Sequence, residues 1–270
     1  MLKYTLIATD LDGTLLDDEK MISDRAKKAI AEYQQRGGIF TIATGRKEES
    51  AQRFAEQLHV KAPVVAFNGA KVIDFHKGKS LLERSLDSAL AVEAYIALRT
   101  LQKDIVIYSD GKPLVSGVTP VISKYMHSIE MSLRTVDDIH ELSKHIITKI
   151  LIIDPAKEFD RIIQALTPIL GSQLNAISSD DEYFELLPPG VSKGNGLAII
   201  AESLGIPMSE TVAIGDHFND ISMLLAAGLG VAVANAREEV RHAADYITTD
   251  NNHDGVAILL EKVLAGEPLS

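Results

Sequence analysis

Short apolar runs alternate with amphipathic stretches along the N-terminal part of the chain. Residues 4–9 are mostly apolar and predict a strand. Ser23 is placed to cap a helix that runs to about Arg36, where Gly37 and Gly38 stop it. Residues 39–43 predict a second strand, 47–59 a helix and 63–67 a third strand. Strand and helix in strict alternation predict a parallel, doubly wound sheet.

The pattern then changes. Residues 70–74 and 80–84 flank His76-Lys77-Gly78-Lys79 and predict a hairpin. Residues 90–101 read as a helix. Residues 105–109 and 112–115 flank Asp110-Gly111, a strong turn signal. Strands follow at 147–153, 174–178 and 183–187, with a helix at 158–170 between the first two. Hairpins mixed with helices predict an α+β insertion. After Pro188-Pro189-Gly190 the first pattern returns: helix 193–204, strand 211–214, helix 219–226, strand 229–232 and helix 255–265. The fold class is therefore α/β: a doubly wound parallel core from residues 1–84 and 188–270, split by an inserted α+β domain at 85–187.

Composition narrows the function. The chain has 270 residues, 46% of them hydrophobic, enough for a sizeable core. Its 27 Lys and Arg stand against 38 Asp and Glu, a net charge of −11. That argues against nucleic acid as partner, which needs a basic surface. It does not exclude a small anionic substrate met by a few local cations. There is no cysteine, which rules out disulfides, thiolate chemistry and cysteine-bound zinc. No apolar run reaches the roughly 18 residues of a membrane span, and no signal-peptide layout opens the chain. The expectation is a soluble cytoplasmic protein with no membrane partner.

Four strand ends carry polar or small residues, and a parallel sheet puts them on one edge. They are Asp10-Leu11-Asp12-Gly13-Thr14, Thr44-Gly45-Arg46, Asn68-Gly69, and Gly215-Asp216-His217-Phe218-Asn219-Asp220. Each alone has a plainer reading. Asp-x-Asp-Gly-Thr is often a loop turn, and acids or amides at a helix start often only cap it. Together they suggest phosphoryl transfer to a carboxylate. Asp10 would attack phosphorus. Asp10, Asp216 and the backbone carbonyl of Asp12 would hold Mg²⁺, a hard ion suited to oxygen donors. Asp12 would protonate the leaving oxygen and later deprotonate water. The Thr44 hydroxyl and Gly45 amide would bind a phosphate oxygen, and Lys193 would set a fixed positive charge on the phosphoryl group. Arg46 has two readings: it reaches a second anionic group on the substrate, or it pairs with an acid of the core.

On these residues the chain resembles the haloacid dehalogenase superfamily of Mg²⁺-dependent phosphohydrolases, and its Cof-type branch in particular. The segments Gly190-Val191-Ser192-Lys193-Gly194 and Asp250-Asn251-Asn252-His253-Asp254-Gly255-Val256-Ala257 extend the likeness over nearly the whole chain. The resemblance implies a Rossmann-like core with a large α+β cap inserted after the third strand. It implies Asp10 as nucleophile, Asp12 as general acid and base, and Thr44, Gly45 and Lys193 on the phosphate. It further implies Asp216 on Mg²⁺, Asn219 on phosphate or steadying the lysine, the Leu11 main chain at the oxyanion site, and Asp220 behind the metal ligands. Asn68 is read as a brace for the loop. His217-Phe218 departs from the small or acidic pair usual in the family, and both are read as packing or surface residues. In the closing segment Asp250 and His253 depart likewise, leaving the metal set intact.

The function expected is hydrolysis of small phosphomonoesters, such as sugar phosphates, under a closing cap. Phosphotransferase or mutase activity is the alternative within the same fold. Flavin mononucleotide and pyridoxal phosphate are alternative substrates, although the insert's main aromatics, Tyr108, Tyr125, Phe159, Tyr183 and Phe184, signal no stacking site. A non-catalytic sensor of a phosphorylated ligand is a third reading, and it would predict a degenerate site.

Overall fold

The computed structural model describes residues 2–129, 132, 134–136, 138–155, 158–171 and 173–269. In chain order it begins with β1 (Leu6–Thr9), α1 (Asp24–Gln35), β2 (Ile39–Ile42), α2 (Glu48–Gln57), β3 (Val64–Ala66), β4 (Lys71–Asp74) and β5 (Lys79–Glu83). Then come α3 (Ser88–Thr100), β6 (Asp104–Ser109), β7 (Lys112–Val115), α4 (Pro120–Ser128), β8 (Arg134–Thr135), β9 (Ile147–Ile153), α5 (Phe159–Leu170), β10 (Asn175–Ser178) and β11 (Tyr183–Leu187). The chain closes with α6 (Lys193–Leu204), β12 (Thr211–Gly215), α7 (Ile221–Ala226), β13 (Leu229–Ala232), α8 (Glu238–Ala243), β14 (Tyr246–Ile247) and α9 (Gly255–Ala265). It divides into two compact units, residues 1–83 with 192–270, and residues 84–191.

The first unit holds a five-stranded sheet in the order β14-β13-β12-β1-β2, parallel throughout. Its strands β13, β12, β1 and β2 are buried almost along their length, with Leu6, Ile7, Ile42, Val212, Ile214 and Val231 fully enclosed, while the edge strand β14 exposes Ile247. That is why they read as continuous apolar runs rather than as alternation. Helix α1 packs with α9 and α6 with α7. The N-cap of α1 is Ser23, whose hydroxyl accepts from the Ala26 amide.

Two sequence expectations need refining here. The third strand does not extend the five-stranded ladder: a single parallel bridge, Ala43 to Val65, joins it there, and its main pairing is antiparallel to β4 in a β3-β4-β5 sheet. The stretch expected as one helix from 219 is a 3₁₀ turn, Phe218–Asp220, followed by α7. There Asp220 accepts two backbone N–H bonds, which tightens the turn.

The second unit is a six-stranded sheet in the order β10-β11-β9-β6-β7-β8, antiparallel except for β7 with β8. One face of the central strands, with Ile105, Ile107, Ile150, Ile152, Phe184 and Leu186, joins α3 and α5 in an apolar core. Phe159 stacks on Phe184 there at 4.9 Å between centroids. The tyrosines instead make polar contacts: the Tyr108 and Tyr125 hydroxyls lie 2.6 Å apart, and Tyr125 meets Tyr183 edge-on. Among the described residues no helix is long and apolar enough to cross a membrane.

Candidate active site

The first unit gathers its polar groups at the C-terminal ends of β1 and β12. Asp10 follows β1, and its amide donates to the Ile214 carbonyl, so the parallel pairing runs right up to the acid. Gly13 adopts φ +76°, a left-handed conformation that favours glycine. A Cβ there would sit 2.5 Å from Asp216 Oδ2, so the turn can pass Asp216 only without a side chain. Residues more than two hundred positions apart meet in this way, as the 2.6 Å hydrogen bond from the Thr14 hydroxyl to Asp216 Oδ1 records.

Lys193, the first residue of α6, is fully buried. Its ammonium donates to Asp10 Oδ1 and to Asp220 Oδ1, each at 2.6 Å. Asp220 is committed on its other oxygen as well, which accepts from the Asp216 and His217 amides at 3.0 and 3.1 Å. It therefore anchors the lysine and the turn. Asp10, Asp216 and Asp220 bring oxygens within 4.8 Å of one another. Three carboxylates crowd here and the ammonium bonds two of them, which shows in the protonation of Asp10 and Asp216. Burial pushes Asp10 well above the usual carboxylate range; Lys193 opposes that, while Asp220, Asp216 and Asp12 add to it. Burial, with Asp220 next, likewise pushes Asp216 up to about 7. For Lys193 burial works against the charge, but the two partner acids outweigh it and hold the ammonium protonated.

Asp12 stands in different company. Its carboxylate takes a two-point hydrogen bond from Arg46, Nε to Oδ2 at 2.6 Å and Nη2 to Oδ1 at 2.7 Å. Lys20 reaches Oδ1 at 3.0 Å from the turn that follows. Burial works against ionisation here, but the Arg46 and Lys20 contacts outweigh it and hold Asp12 at about 2. Arg46 thus spends two of its donors on Asp12 in this structure.

The loop Thr44-Gly45-Arg46 is braced by the segment after β3. The Asn68 amide donates to the Thr44 carbonyl and the Phe67 amide to the Arg46 carbonyl. Phe67 and Asn68 both have positive φ, 49° and 55°, an uncommon strain in two successive non-glycine residues and the kind retained at functional sites. The Thr44 hydroxyl accepts from the Arg46 amide, and a Cβ on Gly45 would press on the Asn68 amide at 3.0 Å. Asn219 donates from Nδ2 to Asn68 Oδ1, and its own Oδ1 is buried with no hydrogen-bond partner among the described residues. Leu11 is fully buried, and its carbonyl accepts the amides of Leu15 and Leu16.

The sequence-nominated residues thus fall into three connected groups: Asp10, Lys193, Asp216 and Asp220; Asp12 with Arg46; and Thr44, Gly45, Asn68 and Asn219. His217 packs edge-on against Phe218, which is partly exposed. Sequence reasoning did not single out Lys20, the Thr14 bond to Asp216, or Asn235, whose side chain donates to the Gly13 carbonyl. The tight turn at 17–21, closed by the Asp17 side chain on the Met21 amide, was the one signal that could have located Lys20.

The donor set suits a hard divalent ion: clustered carboxylate oxygens, with no cysteine in the chain. The convergence of acids beyond what one lysine balances is the observation that makes a cation fit.

Comparison with known proteins agrees with this geometry. The haloacid dehalogenase-like hydrolase family matches residues 7–260. A 5-amino-6-(5-phospho-D-ribitylamino)uracil phosphatase of Bacillus subtilis, YcsE, is 32% identical, over 93% of this chain and 92% of that protein. Phosphatase YwpJ of the same organism is 30% identical over 96% and 99%. The crystal structure of a haloacid dehalogenase-like hydrolase from Bacteroides thetaiotaomicron superposes with a TM-score of 0.85 at 31% identity, covering 96% of this chain and 99% of that one. The chain belongs to the haloacid dehalogenase-like hydrolase family, in its Cof-type branch. It is an enzyme of the phosphatase class.

Proposed function

We propose that the chain is a Mg²⁺-dependent phosphomonoester hydrolase that acts on small phosphorylated metabolites through an aspartyl-phosphate at Asp10. The observation that carries this reading is Asp10 itself: a buried acid at a strand end, bonded to the buried Lys193, with Asp216 beside it. A carboxylate so held is aimed and shielded, as a nucleophile must be.

In the first half-reaction an oxygen of Asp10 bonds to phosphorus. The ester P–O bond breaks, its electrons stay with the leaving oxygen, and that oxygen takes a proton from Asp12, which gains it from solvent when the anionic phosphate approaches and offsets the Arg46 and Lys20 contacts that hold it ionised in the free protein. In the second, water gives a proton to Asp12 and bonds to phosphorus as the bond to Asp10 breaks, which returns both acids. Lys193 holds Asp10 in place and sets positive charge beside the phosphoryl oxygens. Thr44 and the Gly45 amide receive those oxygens, with Leu11 contributing main chain and Asn219 the second hydrogen of the Nδ2 group that already donates to Asn68. Asp10, Asp216 and the Asp12 carbonyl would hold Mg²⁺, which supplies charge screening between the anionic nucleophile and the anionic phosphate. Asp220 and Asn68 keep the lysine and the loop in register.

Two relatives carry the name 5-amino-6-(5-phospho-D-ribitylamino)uracil phosphatase. A phosphorylated sugar or sugar-alcohol arm is therefore the substrate class we favour, and such soluble metabolites go with a cytoplasmic enzyme. The test is phosphate release by the purified protein with Mg²⁺ from a panel that includes hexose phosphates, ribityl phosphates, flavin mononucleotide and pyridoxal phosphate. Release from none of them sinks the reading. Oxygen-18 from labelled water in the released phosphate marks hydrolysis; its absence marks transfer to another acceptor.

A further inference from the structure

The fork of Arg46 is the part of that side chain best shaped to grip a phosphate or carboxylate, and Asp12 fills it. The guanidinium is itself fixed from other sides. Its Nη1 donates to the hydroxyl of Ser50 at 3.2 Å, and its carbon lies 5.0 Å from the centroid of the Phe54 ring. Ser50 and Phe54 lie one and two helical turns after Arg46, on α2, so one face of that helix presents both. The Arg46 amide is held in turn by the Thr44 hydroxyl. Asp12 sits on a loop and its side chain is 40% exposed; without these contacts it would sample several rotamers. Lys20 adds a contact from the opposite element, the turn after β1, but its own side chain is 58% exposed.

From this arrangement we infer that Arg46 is a positioning residue: it acts through Asp12 by fixing where that carboxylate points, with Lys20 as a weaker second tether. The inference rests on the proposed reading of Asp12 as the proton carrier. It differs from a role in gripping substrate, because an Arg46 that clamped a second anionic group would first have to release both hydrogen bonds to Asp12.

A misplaced proton donor slows only the step that needs the proton. An alkoxide leaving from a sugar phosphate needs it; p-nitrophenolate leaves readily without it. Arg46→Gln should therefore lower kcat on an alkyl phosphate by about 10- to 100-fold, the range expected of a misaimed acid–base group, and lower it only about threefold on p-nitrophenyl phosphate. KM should change little on either ester. Asp12→Ala should show the same leaving-group dependence, and the double variant should be no worse than Asp12→Ala alone, because Arg46 then has nothing left to aim. Lys20→Met should show the same pattern at about two- to threefold, as befits an exposed contact.

Equal losses on both esters, a loss confined to KM, or additive losses in the double variant would overturn the positioning role and return Arg46 to the substrate. If Asp12→Ala itself shows no leaving-group dependence, the failure lies with Asp12 as proton carrier. Should Arg46→Gln not fold, Arg46→Lys gives the same discrimination: it keeps the charge but loses the two-point grip, and the alkyl ester should again suffer more.

Discussion

Among the described residues, two buried lysines make similar contacts in different company. In the parallel core, Lys193 bonds Asp10 and Asp220, and Asp216 brings a third carboxylate to the same spot. In the inserted unit, Lys149 bonds Glu185 at 2.8 Å and ties β9 to β11, while the Ser179 hydroxyl donates to the same Glu185 oxygen. There, in these contacts of the described residues, one ammonium meets one carboxylate. A balanced buried pair is complete as it stands and serves structure. An unbalanced one leaves negative charge that folding alone does not need, since each uncompensated buried ion costs several kcal/mol. The excess of acids in the core is thus the physical mark of a site whose charge balance has room for a cation.

The sharpest way to break this contrast is at Asp10. Asp10→Asn should reduce turnover by at least about 10³-fold, as loss of a nucleophile does, while the metal-free protein gains thermal stability because one buried acid becomes neutral. Steady-state assays and melting curves read the two effects; unchanged turnover sinks the assigned nucleophile. Glu185→Gln in the insert should lower stability instead, because Lys149 then loses its carboxylate.

The lysines compare next. Lys193→Met should cost about 10²–10³-fold in kcat by removing a preorganised charge. Lys149→Met leaves Glu185 buried without its cation and should destabilise by about 3–5 kcal/mol, most of which Lys149→Met/Glu185→Leu recovers by replacing the pair with apolar groups. Denaturant melts decide it. If Lys149→Met were thermally silent, the pair would not be the structural tie described above.

How far these two regions could be read from the chain differs for a physical reason. The core strands stood out because both faces are buried, and the motif residues stood out because acids and glycines rarely end apolar runs by chance. Lys193 was legible only by its place in the Gly190–Gly194 segment; its burial depends on Asp10 and Asp220, far away in sequence. The pairings Lys20–Asp12, Thr14–Asp216 and Lys149–Glu185 were not legible, since nothing local fixes which cation meets which acid. Elements were missed where the pattern is weak. Helix α8 has six residues that start Glu238-Glu239, β14 and β8 have two each, and α4 spans a mixed polar stretch after Pro120. Short elements of this kind are formed by their neighbours rather than by their own periodicity. The pairing of β3 with β4 was likewise hidden, because an apolar strand does not name its partner.

Metal ion should separate the regions further. With Asp10 and Asp216 raised, the metal-free native state binds more protons than the unfolded chain between the ordinary carboxylate range and about pH 7. Its stability from these groups therefore falls as pH rises through that window. Mg²⁺ displaces those protons, so the stabilisation it brings should grow with pH, reaching about 2.7 kcal/mol at a hundred times its Kd near pH 8 and shrinking below pH 6. Asp216→Asn should remove most of this gain, and Lys149→Met should leave it intact. A gain that is flat with pH would mean that the ion does not compete with protons at these acids.

The smallest expected effects fall on the hydroxyls behind each pair, and they test the comparison most finely. Thr14 donates to Asp216 Oδ1 at 2.6 Å, and Ser179 donates to Glu185 Oε1 at 2.8 Å. If the core acids are arranged for a cation, Thr14→Val releases Asp216 from its fixed direction and should raise the Mg²⁺ concentration for half-maximal activity by about 10-fold, the lower end of what loss of an outer-shell partner costs. If the insert pair is structural only, Ser179→Ala should lower stability by about 1 kcal/mol, the net worth of one hydrogen bond, with the Mg²⁺ requirement unmoved. The two substitutions are alike in chemistry, so a Mg²⁺ shift in both, or in neither, would erase the distinction between a balanced and an unbalanced buried pair.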